Sequence, residues 1–101
     1  ILDLVEEEGN TALIHAALNN FEEIVKILLE AGASINRANK QGETALMRAA
    51  GAGSEYTVTT LLRAGADHTL TDFTGRTAFD LARENRRNGV LEIFRKARII
   101  R

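Results

Sequence analysis

At 101 residues the chain suffices for one domain with a modest core, and leaves little room for a deep catalytic cleft. Apolar residues make up 45% and charged residues 27%, aromatics are scarce and alanine is abundant, which favours a soluble stack of closely packed helices. A net charge of −1 gives no overall basic character for nucleic acid, and the absence of cysteine excludes a disulfide framework or a thiolate metal site.

Taken in chain order, the first strong signal is Gly9 followed by Thr11 and the Ala-rich run TALIHAAL. Glycine supplies the permissive backbone of a tight turn, and threonine is a good helix N-cap because its hydroxyl accepts from an orphan amide of the first turn. A first helix is expected over residues 11–19. A second is expected over 22–31, with Ile24, Val25, Ile27 and Leu28 forming one apolar stripe. Gly32 then sits where a left-handed C-cap residue belongs. The ten residues that lead to Gly42 have room for an extended hairpin and no further helix.

The same sentence is then repeated. Gly9, Gly42 and Gly75 are spaced by 33 residues, as are Thr11, Thr44 and Thr77, and Ala16, Ala49 and Ala82. The series Leu13–Leu46–Phe79, Val25–Val58–Leu91 and Leu28–Leu61–Phe94 keep that register, and Gly65 follows Gly32. Segments 9–41 and 42–74 share thirteen identical residues without a gap. Further helices are therefore expected over 44–52, 55–64, 77–85 and 88–97. Such a unit cannot bury both faces of its helix pair alone, so neighbours stack into a solenoid with a continuous core.

The segments GNTALIHAALNNFEEIVKILLEAGASIN and GETALMRAAGAGSEYTVTTLLRAGADHT resemble ankyrin repeats, whose pattern runs G-x-T-P-L-H-x-A-A, then helix, then L-L-x-x-G-A-D-x-N. The resemblance covers residues 9–97. It implies an all-α repeat fold of helix–turn–helix units joined by β-hairpin loops. The units are then 1–8 (the trailing hairpin of a preceding repeat), 9–41, 42–74, and 75–101 (a C-terminal capping repeat with a basic tail). Ala12, Ala45 and Ala78 stand in place of the family proline, and Ile14, Met47 and Asp80 in place of its histidine. Thr57, Thr59 and Thr60 make the second outer helix the weakest by propensity. Arg83 and Arg95 replace apolar residues of the earlier copies, as an uncovered last repeat requires. Leu2 falls on the position of Ile35 and Asp3 on that of Asn36, so at least one more helix pair is expected upstream.

No enzyme motif is apparent, so no catalytic residue is assigned. GAGSEYT at 51–57 has the glycines of a phosphate loop, but its register makes it a helix–helix turn. His15 and His68 lie 53 residues apart in different kinds of element and cannot form a helical zinc pair. Glu6–Glu7–Glu8 lacks the alternating oxygens of a calcium loop and reads as a solvated hairpin tip. No metal, cofactor or small-molecule substrate is expected. No apolar run approaches the roughly 18 residues that would cross a bilayer, and no membrane insertion is expected. The lack of thiols suits an intracellular location, cytoplasmic or nuclear.

Charge is unevenly spread. Residues 1–36 carry seven acidic side chains against Lys26, and residues 83–101 carry seven basic ones against Glu84 and Glu92. Nucleic-acid contact through the basic end, centred on Arg86 and Arg87, is a weaker alternative, because no aromatic residue interleaves those arginines.

The resemblance implies that a protein or peptide partner binds a concave face formed by hairpin tips and inner helices. The tip residues are Glu7, Glu8 and Asn10; Lys40, Gln41 and Glu43; and Phe73, Thr74 and Arg76. The inner-helix residues are Leu18 and Asn19, Gly51 and Ala52, and Glu84 and Asn85. His15 shares its repeat position with Arg48 and Leu81, and His15 and Arg48 are expected on the same face as partly exposed groove residues. Phe73, an aromatic near Arg76, either anchors a partner or folds down on its own hairpin. Asn36, eight residues after Leu28, resembles the ankyrin site of asparagine hydroxylases, or else it bonds within the fold. A regulatory arm of a larger enzyme or channel is the alternative function.

Overall fold

A computed structural model describes residues 5–7 and 9–99 of the chain. The expectations for Leu2, Asp3, Glu8 and Arg101 lie outside them. Six helices follow one another as α1 (Ala12–Leu18), α2 (Glu22–Glu30), α3 (Ala45–Ala52), α4 (Glu55–Arg63), α5 (Ala78–Glu84) and α6 (Asn88–Lys96). The inner helices α1, α3 and α5 pack in succession, the outer helices α2, α4 and α6 do the same, and each inner helix packs on its own outer partner.

The N-caps of the inner helices repeat with the register. The hydroxyls of Thr11, Thr44 and Thr77 accept from the amides of Ile14, Met47 and Asp80 at 3.2, 3.3 and 3.1 Å. In the third copy Asp80 completes a capping box, its carboxylate accepting from the Thr77 amide at 3.0 Å. Asp80 thus pairs with the capping threonine at the position where the resemblance expected histidine. Ile14 and Met47 instead go into the core.

Both helices of every unit stop in the same way. The amides of Gly32 and Ala33 donate to the carbonyls of Leu29 and Leu28, and those of Gly65 and Ala66 to Leu62 and Leu61. Paired bonds of this kind close a helix around a residue with left-handed backbone. Gly32 and Gly65 have φ of 94° and 93°, and Arg98 takes the same place after α6 with φ of 63°. A second left-handed position separates inner from outer helix: Asn20, Gly53 and Arg86, with φ of 58°, 79° and 57°.

Between the units the expected hairpins are tight turns, and among the described residues one isolated antiparallel bridge, Val5 to Thr11, marks the β character. Glu6, Asn39 and Asp72 occupy equivalent places, each with its carbonyl accepting from the glycine amide three residues on. Glu6, Gly9 and Asn10 are therefore bonded as Asn39, Gly42 and Glu43 are, and as Asp72, Gly75 and Arg76 are.

The core runs the length of the stack through Leu13, Leu46, Val25, Val58, Leu61 and Phe94, all essentially buried. α4 spans nine residues like α2 and α6 despite its threonines. Thr57 is wholly buried between units, where its hydroxyl donates to Asn20 Oδ1 at 3.0 Å, so tertiary packing overrides the low propensity. The stripe expected in α2 needs correction. Val25 is buried and Leu28 partly so, but Ile24 is 47% and Ile27 60% exposed, because no helix pair lies against that side of α2 among the described residues.

At the other end Arg83 and Arg95 are exposed. The Arg83 guanidinium lies 5.6 Å over the Phe79 ring and bonds Asp80, and Arg95 pairs with Glu92.

Candidate interaction face

Hairpin tips and inner helices converge on one side of the stack. Position 43 is a charged hinge between them. Its carboxylate accepts from Asn39 Nδ2 at 3.0 Å and from Arg48 on α3 at 2.9 Å, tying the tip to the helix. One unit later Arg76 serves the same purpose, bonding Glu84 on α5 at 2.8 Å and Asp72 in its own turn at 3.2 Å. The hydrogen bond to Glu84, with the charge of Asp72, holds the Arg76 guanidinium still more firmly protonated.

Asp72 organises the third tip. Its Oδ1 accepts from the amides of Thr74 and Arg76 at 2.9 and 3.0 Å and from the Thr74 hydroxyl at 2.7 Å. Burial alone would raise its pKa. The bonds from Arg76 and Thr74, together with the Arg76 charge, outweigh that and hold the carboxyl below its usual 3.8. Asn39 makes the corresponding pair of bonds to Gln41 and Glu43 at 3.0 and 2.9 Å. Its amide reaches back to Asn10 Oδ1 at 2.9 Å, joining the first two tips.

The tips are also stacked on one another. The Phe73 amide donates to the Gln41 carbonyl at 3.0 Å. A Cβ at Gly42, where φ is 81°, would stand 2.7 Å from the Phe73 ring, and one at Gly9 would stand 2.9 Å from the Lys40 amide. Glycine is required at both places by its backbone and by the close approach of the next tip. Phe73 thus neither stands free nor folds onto its own hairpin. One edge of its ring covers the Gly42 backbone while 80% of the residue faces solvent.

Below the tips a depression of about 200 Å³ opens between α1, α3 and α5, lined by Leu18, Glu43, Met47, Arg48, Ala52 and Asn85 among others. Asn85 Nδ2 and Arg87 Nε both donate to the Gly51 carbonyl, at 3.1 and 3.0 Å, clamping α5 to the end of α3. The structure brings together Glu43, Arg48, Ala52 and Asn85 around this depression. Lys40, Gln41, Phe73, Thr74 and Arg76 form the ridge above it. Met47 and Leu81, which also line it, were not singled out from sequence, since their apolar character assigned them to the core.

His15 does not line that depression. His15 is exposed, its Nε2 sits 3.5 Å from Glu6 Oε2, and it borders a separate depression at the end of the stack with Val5, Phe21 and Ile24. Asn19 is exposed, and its side chain returns to the His15 carbonyl at 2.9 Å. Asn36 is exposed with its Oδ1 accepting from the Asp67 amide at 2.9 Å, a bond across to the next unit. His68 is half-buried in the equivalent segment. Among the described residues no cluster of acidic or histidine side chains could hold a metal ion, and no helix is long and apolar enough to cross a membrane.

No curated protein matches the chain. A family model described as ankyrin repeats in three copies matches residues 2–72. The same caps, turns and helix order continue beyond that match through Lys96. Repeats of this family are in general non-catalytic modules for protein–protein interaction. The 33-residue register, the threonine-capped inner helices and the family match agree, and the chain belongs to the ankyrin-repeat family.

Proposed function

We propose that the chain is a non-catalytic recognition module that binds a protein or peptide segment across the ridge of hairpin tips and the depression beneath it. The observation that carries the reading is Phe73. A large aromatic side chain held on a rigid backbone, 80% exposed and next to the buried Asp72 that organises the tip, offers a partner an apolar anchor at low entropic cost. Arg76 and Arg48 lie near it with their carboxylate partners, so a partner meets an apolar anchor inside a polar rim, the arrangement of an interface hot spot. The depression suits one or two side chains of an extended segment and is too small to enclose a drug-sized substrate. The module acts inside the cell, as repeats of this family commonly do and as a chain without cysteine suits.

The test is affinity capture from cells with the full-length parent protein, followed by direct titration of the purified partner. The variant Phe73→Ala, Arg76→Glu, Lys40→Glu should lose the partner while keeping its circular dichroism spectrum. An unchanged set of partners and unchanged affinities would sink the reading. Binding that the variant keeps, and that falls steeply with salt and on neutralising Arg86 and Arg87, would favour nucleic-acid contact through the basic end instead.

A further inference from the structure

Nothing in the fold itself calls for glycine at position 51. Gly51 lies in the last turn of α3, where glycine stabilises a helix less than alanine does. Gly53 is the residue that ends this helix with a left-handed backbone, φ 79°, and Gly51 is not among the glycines of positive φ. No neighbour needs the space either. A Cβ at Gly51 would meet Asn85 Nδ2 at 3.4 Å and Leu81 Cβ at 3.8 Å, both ordinary contacts and neither with backbone. The same repeat position carries Leu18 on α1 and Glu84 on α5. The side chain missing at Gly51 leaves room in the depression of about 200 Å³ between α1, α3 and α5, which Gly51 lines.

We infer that Gly51 opens a socket for one aliphatic side chain, of leucine or methionine size, from an extended partner segment, and so sets the partner's sequence preference. The socket presupposes the recognition role proposed above for this face. Leu18, Met47, Ala52 and Leu81 give it apolar walls. The ionised groups on its edge, Glu43 and Arg48, are joined to each other at 2.9 Å. A lysine or glutamate side chain entering there would be desolvated without a free counter-charge, which favours an uncharged occupant. The edge also matches an extended backbone. Arg48 bonds Glu43 through Nη1, and among the described residues its Nε and Nη2 remain as donors for a backbone carbonyl. Asn85 gives Nδ2 to the Gly51 carbonyl at 3.1 Å, which leaves its Oδ1 as an acceptor for a backbone amide. An extended segment presents both groups beside each side chain, whereas a helical one uses them internally.

The probe is a library of random linear peptides displayed on phage and selected on the 101-residue chain. Enriched sequences should align on one leucine, isoleucine or methionine, and replacing it by alanine in the synthetic peptide should weaken binding by about tenfold or more. Gly51→Ala should raise the urea midpoint yet weaken the selected peptide by about tenfold, because its methyl takes up part of the socket. Gly51→Leu should weaken that peptide by about a hundredfold and bind the alanine-substituted peptide as well as the unaltered chain does. A glycine of merely structural importance would not exchange the preference in this way. If Gly51→Leu fails to fold, the opposed shifts of stability and affinity in Gly51→Ala carry the test. Phe73→Ala should weaken both peptides by the same factor. Peptides with no shared aliphatic position, or peptides weakened by Phe73→Ala and untouched by the Gly51 variants, would overturn the socket and keep the ridge. Loss in the Gly51 variants with none in Phe73→Ala would support the socket and remove Phe73 as the anchor. A selection that enriches no sequence would overturn both.

Discussion

Replacing Asp72 separates the chemistry of the third hairpin tip from its mere shape. In Asp72→Ala the tip loses the acceptor for two amides, one hydroxyl and the Arg76 guanidinium. Hydrogen bonds to a charged acceptor contribute about 1.5–3 kcal/mol each, but these donors are partly exposed and re-bond to water, so a total loss of about 2–4 kcal/mol is expected. Asp72→Asn keeps an Oδ1 where Asn39 already shows that a carboxamide satisfies the same two amides. It gives up the ion pair with Arg76, which is 38% exposed in its side chain, and about 1 kcal/mol is expected for that. Urea unfolding of the three proteins at neutral pH measures both numbers. A pH series adds a second check. The folded carboxyl lies below its unfolded value of 3.8, so its contribution is full above that value and is lost as pH falls through the folded pKa. Asp67, also held low by the Thr69 hydroxyl and amide, titrates alike in both proteins and cancels in the comparison. The gap between wild type and Asp72→Asn should therefore close in acid. Equal destabilisation by Ala and Asn, or a gap that persists unchanged well below pH 3.8, would refute the reasoning.

Three further outcomes are expected. Gly51 is a helical glycine whose added Cβ would meet Asn85 Nδ2 at 3.4 Å and Leu81 at 3.8 Å, both ordinary contacts, so Gly51→Ala should stabilise by about 0.5–1 kcal/mol; a lower melting temperature would show the clamp on α5 to be tighter than its distances suggest. A double-mutant cycle of Thr57→Val with Asn20→Gly should give a coupling of about 0.5–1.5 kcal/mol for the bond between units, and zero coupling in urea titrations would remove that bond from the account. Phe73→Ala should move stability by less than about 0.5 kcal/mol yet weaken a purified partner by about 2 kcal/mol or more in calorimetry; a large stability loss with unchanged affinity would make the ring a structural cover for Gly42.

The inner helices were readable because their signals are local. A glycine that turns the chain, a threonine that caps the next turn and alanines that permit close approach act within a few residues of themselves, and the 33-residue register multiplies each signal by three. The same is true of Gly32 and Gly65 at the ends of the outer helices. The second left-handed position was not read from the sequence: Asn20 and Gly53 are permissive residues one register apart, but Arg86 breaks that residue pattern, as Arg98 breaks the one set by Gly32 and Gly65, while both keep the backbone. Those arginines adopt it because the neighbouring helices and their paired terminal bonds fix the geometry, which no local preference of arginine would select.

The candidate face was legible only as an outline. The repeat register, with the family resemblance, assigned Lys40, Phe73, Arg76, Arg48 and Asn85 to tips and inner helices, since periodicity alone fixes which side of a stacked unit a residue occupies. What only the tertiary structure decided is how those residues meet. The sharing of the Gly51 carbonyl by Asn85 and Arg87, the seating of Phe73 on Gly42, and the bond from Asp67 to Asn36 all cross from one unit to the next. Contacts of that kind depend on the offset and twist between repeats, which arise from packing of whole helices and leave no trace in the spacing of letters along the chain. Exposure was decided at the same level: Ile24, Thr57 and Val90 share one repeat position, and only the presence or absence of a neighbouring helix pair separates the exposed isoleucine from the two buried residues.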